Sequence, residues 1–276
     1  MKDRFLLAQV TDMHIKAGGK LSYRVVDTEA ALMRCVAHLM KMPQVPDAVI
    51  FTGDLTDFGR PEEYDNLARL LDPLTMPYFL MPGNHDDPER MRWKFPIHAY
   101  MRQRSGKLDY VIDNFPVRIV ALDSTIPQQS GGELTDSQLQ WLDETLRSAP
   151  KRPTIVALHH PPFWTGIGHM DRMALANPAA LEAVIARHAQ VERVISGHLH
   201  RNIVKRFGGT VASTCPSPSH QVALDLADDA VSRFVMEPPG LQLHLWREGV
   251  GLVSHAAAIG EFAGPYPFYK DGQLID

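Results

Sequence analysis

Five short apolar runs punctuate the chain, and each ends in a polar side chain. Phe5-Leu6-Leu7-Ala8-Gln9-Val10 leads to Asp12-Met13-His14, and Ala48-Val49-Ile50-Phe51-Thr52 leads to Gly53-Asp54. Tyr78-Phe79-Leu80-Met81-Pro82 leads to Gly83-Asn84-His85-Asp86, and Thr154-Ile155-Val156-Ala157-Leu158 to His159-His160. Arg193-Val194-Ile195-Ser196 leads to Gly197-His198-Leu199-His200. Runs of this length and β-branched content predict buried strands.

The intervening stretches carry apolar residues mostly at helical spacing. Val25, Val26, Leu32, Met33, Val36, Leu39 and Met40 predict a crossover helix over 23–42, ended by Pro43 and Pro46. Pro61-Glu62-Glu63 opens a second helix that runs to about Leu71. Asp87-Pro88-Glu89 supplies an N-cap, a proline at the first helical position and an acidic first turn, so 88–105 reads as helix broken at Pro96. This alternation implies parallel strands and right-handed crossovers. Residues 108–113 and 117–122 read as an antiparallel pair, 125–132 as a loop, and helices follow from Thr135 and over 178–188.

Beyond Asn202 the pattern turns to β. Residues 203–207 and 210–213 flank Gly208-Gly209, a hairpin signal, and 222–224, 232–236, 241–246 and 250–255 read as short strands. The economical architecture is α/β, with two sheets face to face and helices outside. A main domain over 1–225 is expected, followed over 226–276 by a β segment and a tail rich in Gly, Pro and Tyr. That last part is expected to form a cap or subunit contact, whether or not it is continuous with the main domain.

Composition narrows the field. The 276 residues can bury a large core, and a formal charge of -4 gives no reason to expect a broad nucleic-acid-binding face. Cys35 and Cys215 form no CxxC pair, which argues against a disulfide framework. The first apolar run is too short for a signal segment and no run is long enough to span a bilayer, so the expectation is a cytoplasmic protein without a membrane partner.

The chemistry gathers where the strands end, which in α/β sheets is where ligands bind. Asp12, His14, Asp54, Asn84, His159, His198 and His200 are all metal-capable. Taken singly, an aspartate after a strand is also a helix cap, and a lone histidine is also a structural residue. Five strand ends carrying such groups together are not explained by capping. The donors suit Mn, Fe, Zn or Co, and their number exceeds the needs of one tetrahedral ion but fits two ions sharing a carboxylate. Two divalent ions set against two aspartates and a hydroxide leave residual positive charge, which attracts an anionic phosphate ester. His85, one residue from Asn84, lies within reach to donate a proton.

The same motifs, in the same order, resemble those of the calcineurin-like metallophosphoesterases. Within that superfamily the chain looks most like the bacterial class III cyclic nucleotide phosphodiesterases and the related glycerophosphodiesterases. That closer likeness includes Gly59-Arg60-Pro61-Glu62-Glu63-Tyr64, Met170-Asp171, Ser219-His220-Gln221-Val222 and Ala263-Gly264-Pro265. The resemblance implies a four-layer αββα sandwich of two mixed sheets flanked by helices. It implies one ion on Asp12, His14, Asp54 and His200 and another on Asp54, Asn84, His159 and His198, with Asp54 bridging. His85 would contact the phosphate and assist the leaving alkoxide, and His220 would be a further histidine near the substrate. Asp57 stands where many members carry asparagine, which leaves its hydrogen-bonding role open.

The expected activity is hydrolysis of a small phosphodiester, a 3′,5′-cyclic nucleotide or a glycerophosphodiester, by a hydroxide bridging the two ions. Hydrolysis of a pyrophosphate-linked nucleotide or lipid, and a scaffold without metals, are the alternatives. The resemblance also implies a homo-oligomer. Among other residues, His160 reads as a brace for its neighbour or a catalytic group, and Phe163 and Trp164 as a base-stacking surface or a plain hydrophobic loop. Tyr23 and Arg60 read as pocket walls or as surface and helix-start residues. His169, His244 and His255 have no motif support, and no Gly-x-Ser-x-Gly elbow is present.

Overall fold

The computed structural model describes residues 3–275, so Met1, Lys2 and Asp276, the outermost residues of the N-terminal run and of the tail, lie outside the described residues. The chain begins with β1 (Arg4–Val10), α1 (Thr28–Lys41), β2 (Ala48–Thr52), α2 (Pro61–Leu71), β3 (Tyr78–Met81) and α3 (Pro88–Lys94). It continues with β4 (Tyr110–Ile112), β5 (Arg118–Leu122), α4 (Asp136–Arg147), β6 (Thr154–Leu158), α5 (Gly168–Asp171), α6 (Pro178–Ile185), β7 (Val191–Ser196), β8 (Val204–Phe207) and β9 (Thr210–Thr214). The last part holds β10 (Gln221–Val222), β11 (Phe234–Val235), β12 (Gly240–Arg247), β13 (Gly251–Ala258), β14 (Tyr269–Lys270) and β15 (Gln273–Leu274).

Two mixed sheets result, one ordered β13-β12-β1-β2-β3 and the other β4-β5-β6-β7-β9-β8. β1, β2 and β3 run parallel, as do β5, β6, β7 and β9, so the carboxyl ends within each set emerge on one edge. The strict alternation of strand side chains divides the core. Ile119, Ala121, Ile155, Ala157 and Ile195 face the first sheet, while Val120, Leu122, Val156, Leu158 and Val194 face away from it and pack with Leu142, Leu146, Leu181 and Ile185 of α4 and α6. Burial on both faces is why these strands read as continuous apolar runs. α1 and α2 bury Leu32, Leu39, Leu67 and Leu71 with the first sheet. The four layers are those expected.

Three details depart from the sequence reading. α1 starts at Thr28 rather than 23, because Ser22 and Val26 close a turn in which Tyr23 and Arg24 take positive φ, and Asp27 caps the helix through the Ala30 amide. α3 stops at Lys94 before Pro96, and only a 3-10 turn, Ala99–Arg102, follows. The strands expected over 222–224 and 232–236 shrink to the two-residue pair β10 and β11. β12 pairs with β1 from Arg4 to Gln9, which places residues 240–258 in the first sheet.

Candidate metal centre

The five polar turns meet at one edge of the sandwich and are tied to one another through the backbone. Asp12 donates its amide to the Gly53 carbonyl at 3.0 Å, and His14 to that of Asp54 at 3.0 Å. Gly197 donates to the His159 carbonyl at 3.0 Å, joining β7 to β6. The His198 amide reaches across the sheets to the Asp12 carboxylate at 2.9 and 3.1 Å. Asp86 organises its own turn, accepting from the amides of Gly83, Leu55 and Thr56 at 2.9–3.1 Å.

Such packing is bought with backbone strain. Asp12, His14, Asp54, His198 and His200 all sit at positive φ, between 47° and 68°. Non-glycine residues adopt that region rarely, and it concentrates at functional sites. The turn glycines answer a second demand, close approach. A Cβ at Gly83 would lie 2.2 Å from the Asp54 amide nitrogen, and one at Gly53 would lie 2.4 Å from His159 Nδ1.

Within this frame Asp54 Oδ2 lies between two imidazoles, 3.4 Å from His159 Nε2 and 3.7 Å from His14 Nε2. Asn84 Oδ1 is 3.2 Å from His159 Nε2, and Asp12 Oδ1 is 3.4 Å from His200 Nε2. The opposite nitrogens of the rings are committed. His159 Nδ1 donates to the Thr52 carbonyl at 2.8 Å and His200 Nδ1 to the His220 carbonyl at 3.0 Å. His14 Nδ1 faces Asp57 Oδ1 at 3.3 Å. The two carbonyls orient the His159 and His200 rings so that each Nε2 points inward.

That geometry tests whether cations fit. His198 Nε2 is buried in the cage with no hydrogen-bond partner among the described residues, and His14 Nε2 and His200 Nε2 lie 3.2 Å apart beside the carboxylates of Asp12 and Asp54. A divalent ion would give these inward nitrogens and carboxylates a common partner, so the residues fit such ions. Groups able to share an ion recur through the cage: Asp12 with His14 and His200, Asp12 with Asp54 and His159, and His159 with His160 and His198.

The charges are strongly coupled. Burial works against the Asp12 carboxylate, but His200 outweighs it and holds its pKa at about 2. Asp54 is held low in the same way, chiefly by His159 and His85. Burial disfavours the His159 cation, yet Asp54 lifts its pKa to about 9. For His198, burial and the neighbouring His159 push the pKa down to about 3. The cage thus already pairs anions against imidazoles before any ion binds.

A cavity of about 390 Å³ opens over the cage, and His85 and His220 both line it. The His85 ring meets His14 edge-on, with centroids 4.6 Å apart, and Nδ1 donates to the Asp57 carbonyl at 2.8 Å. Burial opposes its protonation, but Asp54 and Asp57 raise its pKa overall. The His220 ring meets His200 edge-on, with centroids 4.6 Å apart and Nδ1 3.0 Å from Ser219 Oγ. The role of Asp57 is now visible: one carboxylate oxygen braces His14 and the other takes the Lys16 ammonium at 2.6 Å.

The remaining candidates separate. His160 is pinned between Ser124 Oγ and the Ser130 carbonyl, at 2.8 and 3.2 Å, and does not line the cavity. Phe163 is buried in the core and Trp164 is exposed, and neither reaches the cavity. Tyr23 does line it, whereas Arg60 sits at the start of α2 with its guanidinium over Phe58. His244 lies between the sheets, His169 is buried in α5 and His255 is on β13. The wall residues Met173, Ser130, Arg233 and Phe234 escaped the sequence reading. They sit in loops and a two-residue strand, where no periodicity marks them.

Solved structures share this two-sheet sandwich. A dimetal phosphatase from Danio rerio superposes with a TM-score of 0.64 over 93% of this chain and 99% of that one, at 14% identity. A purple acid phosphatase from yellow lupin gives 0.64 over 100% of this chain and 53% of that one, at 15% identity. Residues 5–202 match the calcineurin-like phosphoesterase family, and the chain belongs to it. It is 42% identical to the probable glycerophosphodiester phosphodiesterase GpdQ of Arcobacter nitrofigilis, over 98% of this chain and 100% of that protein. It is 30% identical to a 3′,5′-cyclic-nucleotide phosphodiesterase of Nostoc over 86% of both. The family implies divalent metal ions, and the Asp and His groups described above could hold them.

Proposed function

We propose that the protein hydrolyses small phosphodiesters with two divalent ions. The observation that carries this reading is the position of Asp54 Oδ2, buried between the inward nitrogens of His14 and His159. Asp12, His14, Asp54 and His200 would hold one ion, and Asp54, Asn84, His159 and His198 the other. Mn, Fe, Zn or Co suit these donors. When bound, such a pair supplies a Lewis acid and a water acidified to near neutral pH.

The protein's own groups do the rest. Thr52, His220 and Asp57 orient three of the imidazoles through their outer nitrogens. His85 has its Nδ1 proton tied to Asp57, so Nε2 is the nitrogen free to serve the cavity, and its raised pKa favours the protonated form. It would pass that proton to the departing alkoxide, a poor leaving group without such help. His220 would press the substrate toward the cage. The exposed Phe262, Tyr266 and Phe268 of the tail support a contact with a second copy, and the unpaired buried cysteines support a reducing compartment, the cytoplasm. No helix among the described residues is long and apolar enough to cross a membrane.

The test is a substrate panel after metal depletion and reconstitution with Mn or Zn. Two ions per chain are expected, with kcat/KM highest on 3′,5′-cyclic nucleotides or glycerophosphodiesters and abolished by chelator. A preference for phosphomonoesters or pyrophosphates, or inertness after reconstitution, would overturn the reading.

A further inference from the structure

The cavity has a wall that the metal cage does not explain. Tyr23, His220 and Phe234 form a closed cluster of three rings, with centroids 5.2–5.5 Å apart. Tyr23 is presented by the strained turn that Ser22 and Val26 close, and Phe234 by β11, which pairs with β10 through two residues on each side. Both rings keep open surface, Tyr23 being 53% and Phe234 37% exposed. Met170, Met173 and Val222 add apolar lining, and Ser130 and Ser232 add hydroxyls.

Charge sharpens the picture. Among the described residues Asp54 is the one carboxylate that lines this cavity, and it belongs to the cage. Arg233, next to Phe234, also lines the cavity, and its guanidinium has no partner among the described residues. An ammonium-bearing arm would meet the Arg233 cation there. A planar base meets aromatic faces on which to stack and an arginine that donates to its edge acceptors.

We propose that the β10–β11 hairpin makes this enzyme select diesters carrying a nucleobase, with Phe234 and Tyr23 stacking on the base and Arg233 hydrogen-bonding its edge. The inference rests on the diesterase reading above and adds the class of alcohol. Stacking of one base on an aromatic side chain corresponds to a factor of roughly ten to a hundred in binding.

The metal-reconstituted full chain is assayed with 3′,5′-cyclic AMP and with glycerophosphoethanolamine, as wild type, Phe234→Ala and Phe234→Trp. The alanine variant is expected to lose at least about tenfold more kcat/KM on the cyclic nucleotide than on the glycerol diester, through KM, and the tryptophan variant to restore it. Equal losses on both substrates, or wild-type activity confined to the glycerol diester, would overturn the inference and leave the diesterase reading intact. If wild type cleaves neither diester, it is the diesterase reading that fails. A binding comparison then still decides the wall: AMP should bind metal-loaded wild type about tenfold or more tighter than ribose 5-phosphate, and Phe234→Ala should erase the difference. Equal affinities in wild type would dispose of the stacking role.

Discussion

The turns that carry Asp12, Asp54 and His200 are buried, held at positive φ and cross-tied by backbone hydrogen bonds, whereas β11, which carries Phe234, is paired through two residues and open to solvent. Floor and wall of one cavity are thus built to different tolerances. Metal cages need donors fixed to fractions of an ångström, which rigid strand ends supply. Recognition of a varied alcohol tolerates a looser element, and surface loops are where such choices are made. The difference predicts that floor substitutions act on every substrate and wall substitutions on some.

The largest effect should come from Asp54→Asn. Removing the shared charge should lower kcat/KM by about a thousandfold or more on all diesters and cost at least one ion per chain in elemental analysis. Retention of both ions and of activity would erase the distinction between floor and wall. Gly83→Ala comes next. Its Cβ would overlap the Asp54 amide, so urea unfolding should show a loss of about 3 kcal/mol or the turn should shift with loss of activity.

His85→Ala sharpens the comparison within the floor. A proton donor matters most for a poor leaving group, so kcat should fall about a hundredfold on alkyl diesters and far less on an ester of an acidic phenol. Equal losses on both would rule the donor role out.

A smaller effect belongs to the layer beneath the cage. His244 Nε2 donates to Gln9 at 3.1 Å and Nδ1 accepts from Ser254 at 2.7 Å, and burial, with Arg193 nearby, drives its pKa down to about 3. Below pH 6.5 the unfolded chain takes up a proton that the folded chain refuses. Stability should therefore fall with pH from about 6.5 toward 3, by roughly 2 kcal/mol at pH 5 from this residue. Urea midpoints of metal-free wild type and His244→Gln should diverge in slope over that range, and parallel curves would exclude the histidine as the cause. Least of all, Trp164→Ala should change kcat/KM less than about twofold and stability within about 0.5 kcal/mol, since the ring touches neither cavity nor core.

Much of the floor was legible because a strand end is a local event. An apolar β-branched run followed by Gly-Asp or Gly-Asn-His announces both the element and the side chain it delivers, and the two-sheet layering follows from the order of those elements. What local pattern could not convey was distance work. Tyr23, open between pocket wall and helix start, takes a positive φ and lines the cavity, and Trp164, plausible on chemistry alone, was carried away from the site by its loop. Phe234 and Arg233 lie in a segment too short to impose periodicity, and its pairing with residues 221–223 places them over the cage. Asp57 was ambiguous for the same reason, since its partners His14 and Lys16 come from another strand's loop.

The cage also sets a timetable. His14 and His200 face each other across a sequence separation of 186. A chain emerging from the ribosome cannot close either candidate ion site until β7 has been made and docked beside β6. Ion uptake is then a report on finished assembly, and by mass action each ion captured makes the completed sandwich harder to reopen.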